Sequence, residues 1–334
     1  MEDTFDVAPR RRQGGGVVEM KKPSKMLQVA NKLVPALLAA SAVTGAVGIL
    51  NHASGAENDN GVRTELIPHT GTPPEETDQL ENTHPEAAPT DHNFFDLIFH
   101  DLNDTQKAQA REEVDMFKGR ILSKTGYEHE HLAMPMKYRV QIEQTAKAYG
   151  ISENTLRGLV SIENGGGEDV TNKISGARGV AQFLESTGRQ YGLTINSTTD
   201  ERTNPGKSIA AAGSYLEQSK ALFGNDEGIA LWSYHAGVGN VYKALRAYFI
   251  DVNHVDIGDY SGAITANNPL ARELIESDAK KLIAQDHLDV FKLLKNQAVH
   301  DKVLSGLDDY SDTYVFQIAA LNEIMKEHAS AVKE

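Results

Sequence analysis

One glutamate of this chain lies on the apolar face of a predicted helix, where a carboxyl group is suited to donating a proton. Leu156, Leu159, Val160 and Glu163 follow the i, i+3, i+4, i+7 spacing of a single helical face. Burial on that face and the negative end of the helix dipole both favour the neutral carboxylic acid. A carboxylic acid kept neutral near pH 7 can act as a general acid. The alternative is an exposed Glu163, one position off the buried face.

The elements that must position Glu163 are two consecutive helices. Gly150 is a predicted C-cap for the first helix, and Ser152 is a predicted N-cap for the second. The glycines at 165–167 end the second helix directly after the acid, and they lack the GK[ST] ending of a phosphate-binding loop. The sequence therefore predicts that Glu163 lies in the last turn of a buried helix, beside flexible backbone.

Short segments between residues 138 and 250 carry glycines, tyrosines and polar side chains in a distinctive order. They are Ser161–Asn164, Ser175–Gln182, Ser186–Leu193, Asn204–Leu216 and Trp232–Gly239. In type and order they resemble the motifs of soluble-type lytic transglycosylases, whose catalytic domain shares a lysozyme-like fold with goose-type lysozyme. Ser186–Leu193 is similar to a helix of the membrane-bound type D members. The resemblance implies a mainly α, lysozyme-like domain with extra N- and C-terminal helices.

The resemblance also implies a reaction. Glu163 matches the family's acid/base, which protonates the oxygen between N-acetylmuramic acid and N-acetylglucosamine in peptidoglycan. The same carboxylate then takes a proton from the muramic 6-hydroxyl, and a 1,6-anhydro end forms without water. No cofactor, metal or second carboxylate is implied, because the substrate's N-acetyl group can stabilise C1. Glu168 and Asp169 are accordingly interpreted as surface charge.

Substrate contacts are implied at five positions. Gln182 matches a glutamine that contacts the bound sugar, and Tyr234 matches an aromatic residue near the acid. His235 stands where asparagine is usual, and Asn164 where serine is usual; both keep a donor and an acceptor. Gly179 permits a close approach of ligand to backbone. The alternatives are a structural histidine at 235 and an ordinary turn glycine at 179.

Near the C-terminus, residues 308–325 resemble a type D segment in which a tyrosine reaches the catalytic acid. Tyr314 holds that place. Tyr314, Ile318, Leu321 and Met325 also form one helical stripe, so core packing is the alternative interpretation of the tyrosine.

Composition excludes several other functions. The chain has 334 residues, a formal net charge of -14 and no cysteine. Disulfides, thiolate metal sites and a cysteine nucleophile are therefore excluded, and an acidic chain is a poor match for nucleic acid. An anchor attached through a lipidated cysteine is excluded as well.

The N-terminal part predicts export. Leu33–Leu50 is uncharged, follows basic residues and precedes acidic ones, which favours a signal sequence or a membrane anchor with its N-terminus in the cytoplasm. A buried helix is the alternative. The acidic, proline-containing stretch that follows is predicted to be a disordered linker. We expect the enzyme to lie outside the cytoplasmic membrane, in the bacterial cell envelope, with peptidoglycan strands as its partner.

The predicted organisation is a basic segment 1–32, membrane or signal segment 33–50, linker 51–92, helical lead-in 93–137, catalytic domain 138–250 and C-terminal extension 251–330.

Two further segments received structural interpretations only. Tyr127–His131 is interpreted as a solvated turn and not as a metal site, because the helical HExxH spacing is absent. Residues 251–305 show helical patterns that include Leu270, Leu274, Ile275 and Leu282, and their role is not predicted. No strand with alternating polarity is evident beyond Phe94.

Three other functions fit the same sequence. A goose-type muramidase would use water in place of the 6-hydroxyl. An inactive glycan-binding or scaffold protein would keep the fold without the chemistry. A wall-opening factor for a secretion or phage apparatus would keep the chemistry and differ in its partner.

Overall fold

The computed structural model describes residues 93–165, 167–307 and 310–331. This part of the chain consists of helices joined by turns and loops, and isolated β-bridges are the only extended pairing within it. The bridges join Thr171 to Arg178, Arg178 to Phe183 and Ile195 to Asp200. The prediction of a mainly α fold is confirmed for the described residues.

The α-helices follow one another through short connections. In chain order they are α1 (Phe94–Ile98), α2 (Asp104–Leu122), α3 (Ala133–Lys137), α4 (Arg139–Tyr149), α5 (Glu153–Glu163), α6 (Glu185–Gln190), α7 (Pro205–Leu222), α8 (Glu227–Ala236), α9 (Val238–Asn253), α10 (Tyr260–Thr265), α11 (Pro269–Gln285), α12 (Val290–Lys295), α13 (Gln297–Lys302) and α14 (Tyr314–Ala331). A π-helical turn spans Glu128–Leu132, and 3-10 turns span Glu201–Thr203, Leu304–Gly306 and Tyr310–Asp312.

Helix ends follow the predicted caps, with one difference. α4 ends at Gly150, whose φ of 61° lies in the left-handed region that glycine adopts without strain. Asn204 caps α7 with its side chain, and Pro205 occupies the first turn. Ser152 precedes α5 as predicted, but its side chain makes no capping bond; its backbone N–H donates to Glu227 instead. A buried carboxylate from α8 thus caps the helix that carries Glu163.

The catalytic-helix candidate α5 is buried, and α14 packs across it. Leu156, Leu159 and Val160 are fully buried, and each contributes roughly 1.5–3 kcal/mol through burial. Gly158 lets the two helices approach, because a Cβ there would press on the Ile318 side chain. This crossing brings the far end of the chain to the end of α5.

Small residues also allow α7 to pack closely on α4. A Cβ at Gly213 would overlap the Thr145 side chain, so glycine is needed at this crossing. Ile209, Ala212 and Leu216 are fully buried on the same helix. The predicted apolar face of α7 is therefore confirmed.

The helical pattern predicted around Leu270–Leu282 is confirmed as α11. In α11 the buried side chains are Ile275, Ala279 and Ile283, whereas Leu270 and Leu274 are 66% and 57% exposed. The apolar residues of α12 are buried.

The predicted basic segment, membrane or signal segment and linker, residues 1–92, lie outside the described residues. Within the described ranges, no helix combines the length and the apolar character needed to cross a membrane.

Candidate active site

Glu163 is the final residue of α5 and is 3% exposed. The Asn164 N–H donates to the Val160 carbonyl, which closes the last helical turn around the acid. The alternative of a solvent-exposed Glu163 is therefore wrong. Its carboxyl group is held inside the protein, where proton transfer is shielded from bulk water.

Tyr314, the first residue of α14, meets this acid. Its hydroxyl donates a hydrogen bond of 2.7 Å to Glu163 Oε1. Burial, and then the adjacent Glu163 carboxylate, hold the pKa of Tyr314 well above its usual range, so the phenol remains an O–H donor. Ile318, Leu321 and Met325 are buried further along α14, so the helix both packs in the core and delivers Tyr314 to the acid.

His235, near the end of α8, supports the other side of Tyr314. The two rings stack with centroids 4.5 Å apart and planes 14° apart. His235 is 6% exposed. Three helices thus place Glu163, Tyr314 and His235 in series.

A cleft with an empty volume of about 440 Å³ lies on the His235 side of this series. The residues that line it are Gln182, Phe183, Leu184, Thr187, Tyr215, Tyr234, His235 and Gly237. Apolar and aromatic walls with a few polar groups are typical of small-ligand sites. No carboxylate occurs among these lining residues.

Tyr215 and Tyr234 line the cleft with their aromatic rings. Tyr234 donates its hydroxyl to the Ala181 carbonyl and Tyr215 donates to the Ser233 carbonyl, both at 2.7 Å. The two rings meet edge to face at 4.9 Å. Burial, with a smaller effect of the Glu163 charge, raises the pKa of Tyr234 well above its usual range. Both phenols therefore act as aromatic walls.

Gln182 supplies a fixed acceptor. Its Nε2 donates to the carbonyls of Val170 and Gly179, at 2.9 and 2.8 Å, which fixes the orientation of the amide because a carbonyl can only accept. Its Oε1 is buried and has no hydrogen-bond partner among the described residues. The backbone φ of 47° is in the left-handed region, which is strained for a residue with a side chain. A ligand N–H or O–H group would satisfy this acceptor.

Arg202 holds the loop that carries Gln182, and sequence reasoning did not find it. Its guanidinium donates to the Gly176 and Phe183 carbonyls and pairs with Asp200, whose pKa this hydrogen bonding lowers to about 2. A Cβ at Gly179 would overlap the Arg202 carbonyl oxygen. Gly179 is therefore needed because its backbone lies against the backbone of Arg202. No signal in the sequence distinguishes this buried arginine from the exposed arginines of the chain.

Asn164 is placed at the helix end. It is fully buried, and its Nδ2 donates to the Val160 and Ser161 carbonyls at 2.6 and 3.0 Å. The Val160 carbonyl thus accepts from both the side chain and the backbone N–H of Asn164, and both bonds serve carbonyls in the last turn of the helix. In this structure the side chain caps α5, whereas the resemblance implied a substrate contact.

Glu168 and Asp169 follow the acid closely in sequence but face solvent. Glu168 accepts hydrogen bonds from Lys137 and Tyr138, and Asp169 pairs with Arg178 at 2.6 Å. Their side chains are 38% and 59% exposed. The structure thus agrees with their interpretation as surface charge.

The interpretation of Tyr127–His131 as a solvated turn is wrong for its last residue. His131 is 6% exposed and is bonded to Ser161 of α5. The π-helical turn points this side chain inward against α5. Across the described ranges, no three His, Asp or Glu side chains are grouped to hold a metal ion.

One protein-family model matches part of this chain. Residues 141–251 match the family model of the Transglycosylase SLT domain. Domains of this family are lytic transglycosylases, so the match indicates an enzyme that acts on peptidoglycan. The match and the mainly helical architecture fit a lysozyme-like helical fold. Tyr314 lies outside the matched segment. A search of curated proteins found no match.

Proposed function

We propose that this protein is a peptidoglycan lytic transglycosylase in which Glu163 is the single acid/base. The observation that carries the proposal is the buried Glu163 carboxyl group, which receives the Tyr314 hydrogen bond at the end of α5. The match of residues 141–251 to the Transglycosylase SLT domain supports it. The target is the β-1,4 bond between N-acetylmuramic acid and N-acetylglucosamine.

The reaction uses the carboxyl group twice. Protonated Glu163 gives its proton to the bridging oxygen while the bond from that oxygen to C1 breaks. The carboxylate then takes the proton of the muramic 6-hydroxyl as O6 bonds to C1. The product ends in 1,6-anhydromuramic acid, and the acid is regenerated without water.

Tyr314 holds this carboxyl group through both steps. Its hydroxyl donates to Oε1 of the carboxyl group and so fixes the orientation of that group. The bond strengthens while the carboxylate is charged, since hydrogen bonds to ionised groups are roughly twice as strong as neutral ones. Stacking against His235 keeps the phenol oriented.

The cleft binds the sugar beside the acid. Gln182 Oε1 accepts a substrate N–H, such as that of an acetamido group, and Tyr234 and His235 form the walls. The resemblance to lytic transglycosylases implies a mechanism in which the substrate's own N-acetyl group stabilises C1. This reaction class does not need a paired carboxylate.

We further propose that the enzyme works in the bacterial cell envelope, outside the cytoplasmic membrane. Leu33–Leu50 would direct export or hold the chain at the membrane, with the N-terminus in the cytoplasm. Two sequence features support an origin among the membrane-bound type D enzymes: Ser186–Leu193 and the segment that contains Tyr314. Protease protection of the two ends in spheroplasts tests the orientation.

The decisive experiment is mass analysis of the muropeptides released from purified sacculi in water enriched in ¹⁸O. The proposal predicts anhydro ends, each one water lighter than a reducing end, and no ¹⁸O. Glu163→Gln should release almost nothing. Glu153→Gln, at the opposite end of the same helix, is the matched control and should behave as the parent.

The other outcomes identify the competing functions. Reducing muramic ends that carry ¹⁸O would establish a goose-type muramidase. Binding of sacculi without release by the parent would establish an inactive glycan-binding protein.

A further inference from the structure

The π-helical turn Glu128–Leu132 contacts the helix of the proposed acid through a reciprocal pair of hydrogen bonds. His131 Nδ1 donates to the Ser161 carbonyl at 3.1 Å, and Ser161 Oγ donates to the His131 carbonyl at 2.8 Å. Both residues are buried. The two segments are thus joined at a point two residues before Glu163.

The contact falls where α5 most needs it. The last carbonyls of a helix have no partner within the helix. The Asn164 side chain serves the Val160 and Ser161 carbonyls from within the same turn, so it moves with that turn. His131 reaches the Ser161 carbonyl from a different segment, 30 residues earlier in the chain. It therefore ties the turn that carries Glu163 to the rest of the molecule.

The hydrogen bond also fixes the histidine's proton. A carbonyl oxygen only accepts, so Nδ1 must carry the hydrogen. Burial lowers the pKa of His131, while the neighbouring Glu130 charge opposes the shift and Lys124 adds to it. The ring is thus neutral near pH 7, with its hydrogen on the nitrogen that faces α5.

We propose that His131 is a positioning residue that fixes the last turn of α5, and with it the Glu163 carboxyl group, through the Nδ1–H bond to Ser161. The inference rests on the proposed function of Glu163. It also gives a role to the Glu-His-Glu-His segment, which the resemblance to transglycosylases leaves without one.

Two substitutions separate the proton donor from the volume of the side chain. In His131→Asn the amide nitrogen takes the place of Nδ1 and can donate to Ser161. In His131→Gln the amide nitrogen takes the place of Nε2 and cannot, although the side chain fills the space better. The smaller asparagine leaves a cavity, whereas the glutamine leaves the hydrogen bond to Ser161 unmade, so both variants should lose stability to a comparable extent.

The prediction is that the two variants differ in activity far more than they differ in stability. His131→Gln should lower kcat about 10- to 100-fold with little change in KM, because a displaced acid loses alignment and not substrate binding. His131→Asn should remain within about threefold of the parent kcat despite its lower Tm. Equal losses of kcat in both variants, or losses that follow Tm, would show a purely structural histidine and overturn the proposal.

A readout without substrate separates this inference from the proposed function. Amide hydrogen exchange over residues 158–165 should accelerate in His131→Gln and stay near the parent rate in His131→Asn. Unchanged exchange in His131→Gln would overturn the positioning role even if the enzyme is a transglycosylase. A parent without lytic activity that still shows the exchange difference would overturn the proposed function and leave the role of His131 in holding α5 supported.

Discussion

The two ends of α5 each meet a buried glutamate, and the two glutamates have opposite surroundings. Glu227 lies at the N-terminal end, where it accepts from the Ser152 N–H at 2.9 Å, from the Thr155 hydroxyl and from Lys220 Nζ at 3.1 Å. Glu163 forms the C-terminal end and accepts from the Tyr314 phenol. The two are 7% and 3% exposed, so burial alone does not tell them apart.

The difference lies in what compensates a negative charge. At the N-terminus of a helix, free N–H groups and the dipole stabilise an anion, and Lys220 adds a full positive charge. At the C-terminus the dipole opposes an anion, and Tyr314 offers a neutral donor. We infer that Glu227 stabilises the fold as a carboxylate, whereas Glu163 is placed to exchange a proton.

The largest expected effect is on chemistry at the C-terminal end. Glu163→Gln should lower the rate of glycan release from sacculi by about 10²- to 10⁴-fold, the usual contribution of a general acid/base. The melting temperature should stay near that of the parent, since glutamine can still accept from Tyr314. Retention of more than a tenth of the parent rate would contradict the assignment.

The next effect is on stability at the N-terminal end. Glu227→Ala should cost about 2–4 kcal/mol, because it leaves Ser152, Thr155 and Lys220 without their buried acceptor. Urea unfolding at pH 7 measures this loss. If the variant lost less than about 1 kcal/mol, the contrast between the two glutamates would fail.

Removal of the Tyr314 hydroxyl should lower the activity that we assign to the C-terminal end of α5. Tyr314→Phe should lower the turnover of sacculi about tenfold, since a hydrogen bond to a charged group is worth about 1.5–3 kcal/mol. Tyr260→Phe, which removes a buried hydroxyl in α10, is the matched control and should keep the parent turnover. Equal turnover in the two variants would show that Tyr314 only packs.

A smaller effect is a pH dependence of folding stability near the N-terminal end of α8. His100 bonds to Asp226, the N-cap of α8, and this hydrogen bond raises the pKa of His100 from 6.5 to about 9. The folded protein thus binds more protons than the unfolded one between these values. The stabilisation is complete below pH 6.5 and is lost as the pH rises through about 9.

The histidine is partly exposed, so the expected loss is about 1 kcal/mol after allowance for solvent screening. Urea unfolding at a series of pH values measures it. His100→Gln should remove this slope, and a parent slope that persists in the variant would assign it to another group.

The smallest effect is expected at an exposed pair on α5 itself. Glu153 and Arg157 pair across one helical turn at the surface. Glu153→Gln should change the free energy of unfolding by less than about 0.5 kcal/mol and leave glycan release unchanged. A larger loss would mean that the N-terminal end depends on surface charge as well as on Glu227.

Local features of the fold were predictable from the sequence. Gly150 and Asn204 mark helix ends because their effects act within one turn of the backbone. The spacing of Leu156, Leu159 and Val160 predicted the buried face on which Glu163 lies. The pattern at Leu270 and Leu274 predicted a helix but not its buried face, because α11 has apolar residues on more than one side and only its neighbours select the face that is buried.

Contacts between distant segments were not predictable from local pattern. Nothing in the sequence near Arg202 indicates that it holds the Gln182 loop, or that Gly179 is needed for its backbone. Tyr314 could be proposed only from the resemblance of its segment to a known motif. The inward position of His131 contradicted a polar sequence that is typical of a turn.

The sequence by itself determined where the helix of the proposed acid begins and ends and which of its faces is apolar, because helix periodicity and capping are local properties of the chain. The tertiary structure alone decided what surrounds that acid. Tyr314 lies 151 residues from Glu163, and His131 lies 30 residues from Ser161. Across such separations, partners meet only through the way helices cross, and that crossing places a neutral donor at one end of α5 and a charged network at the other.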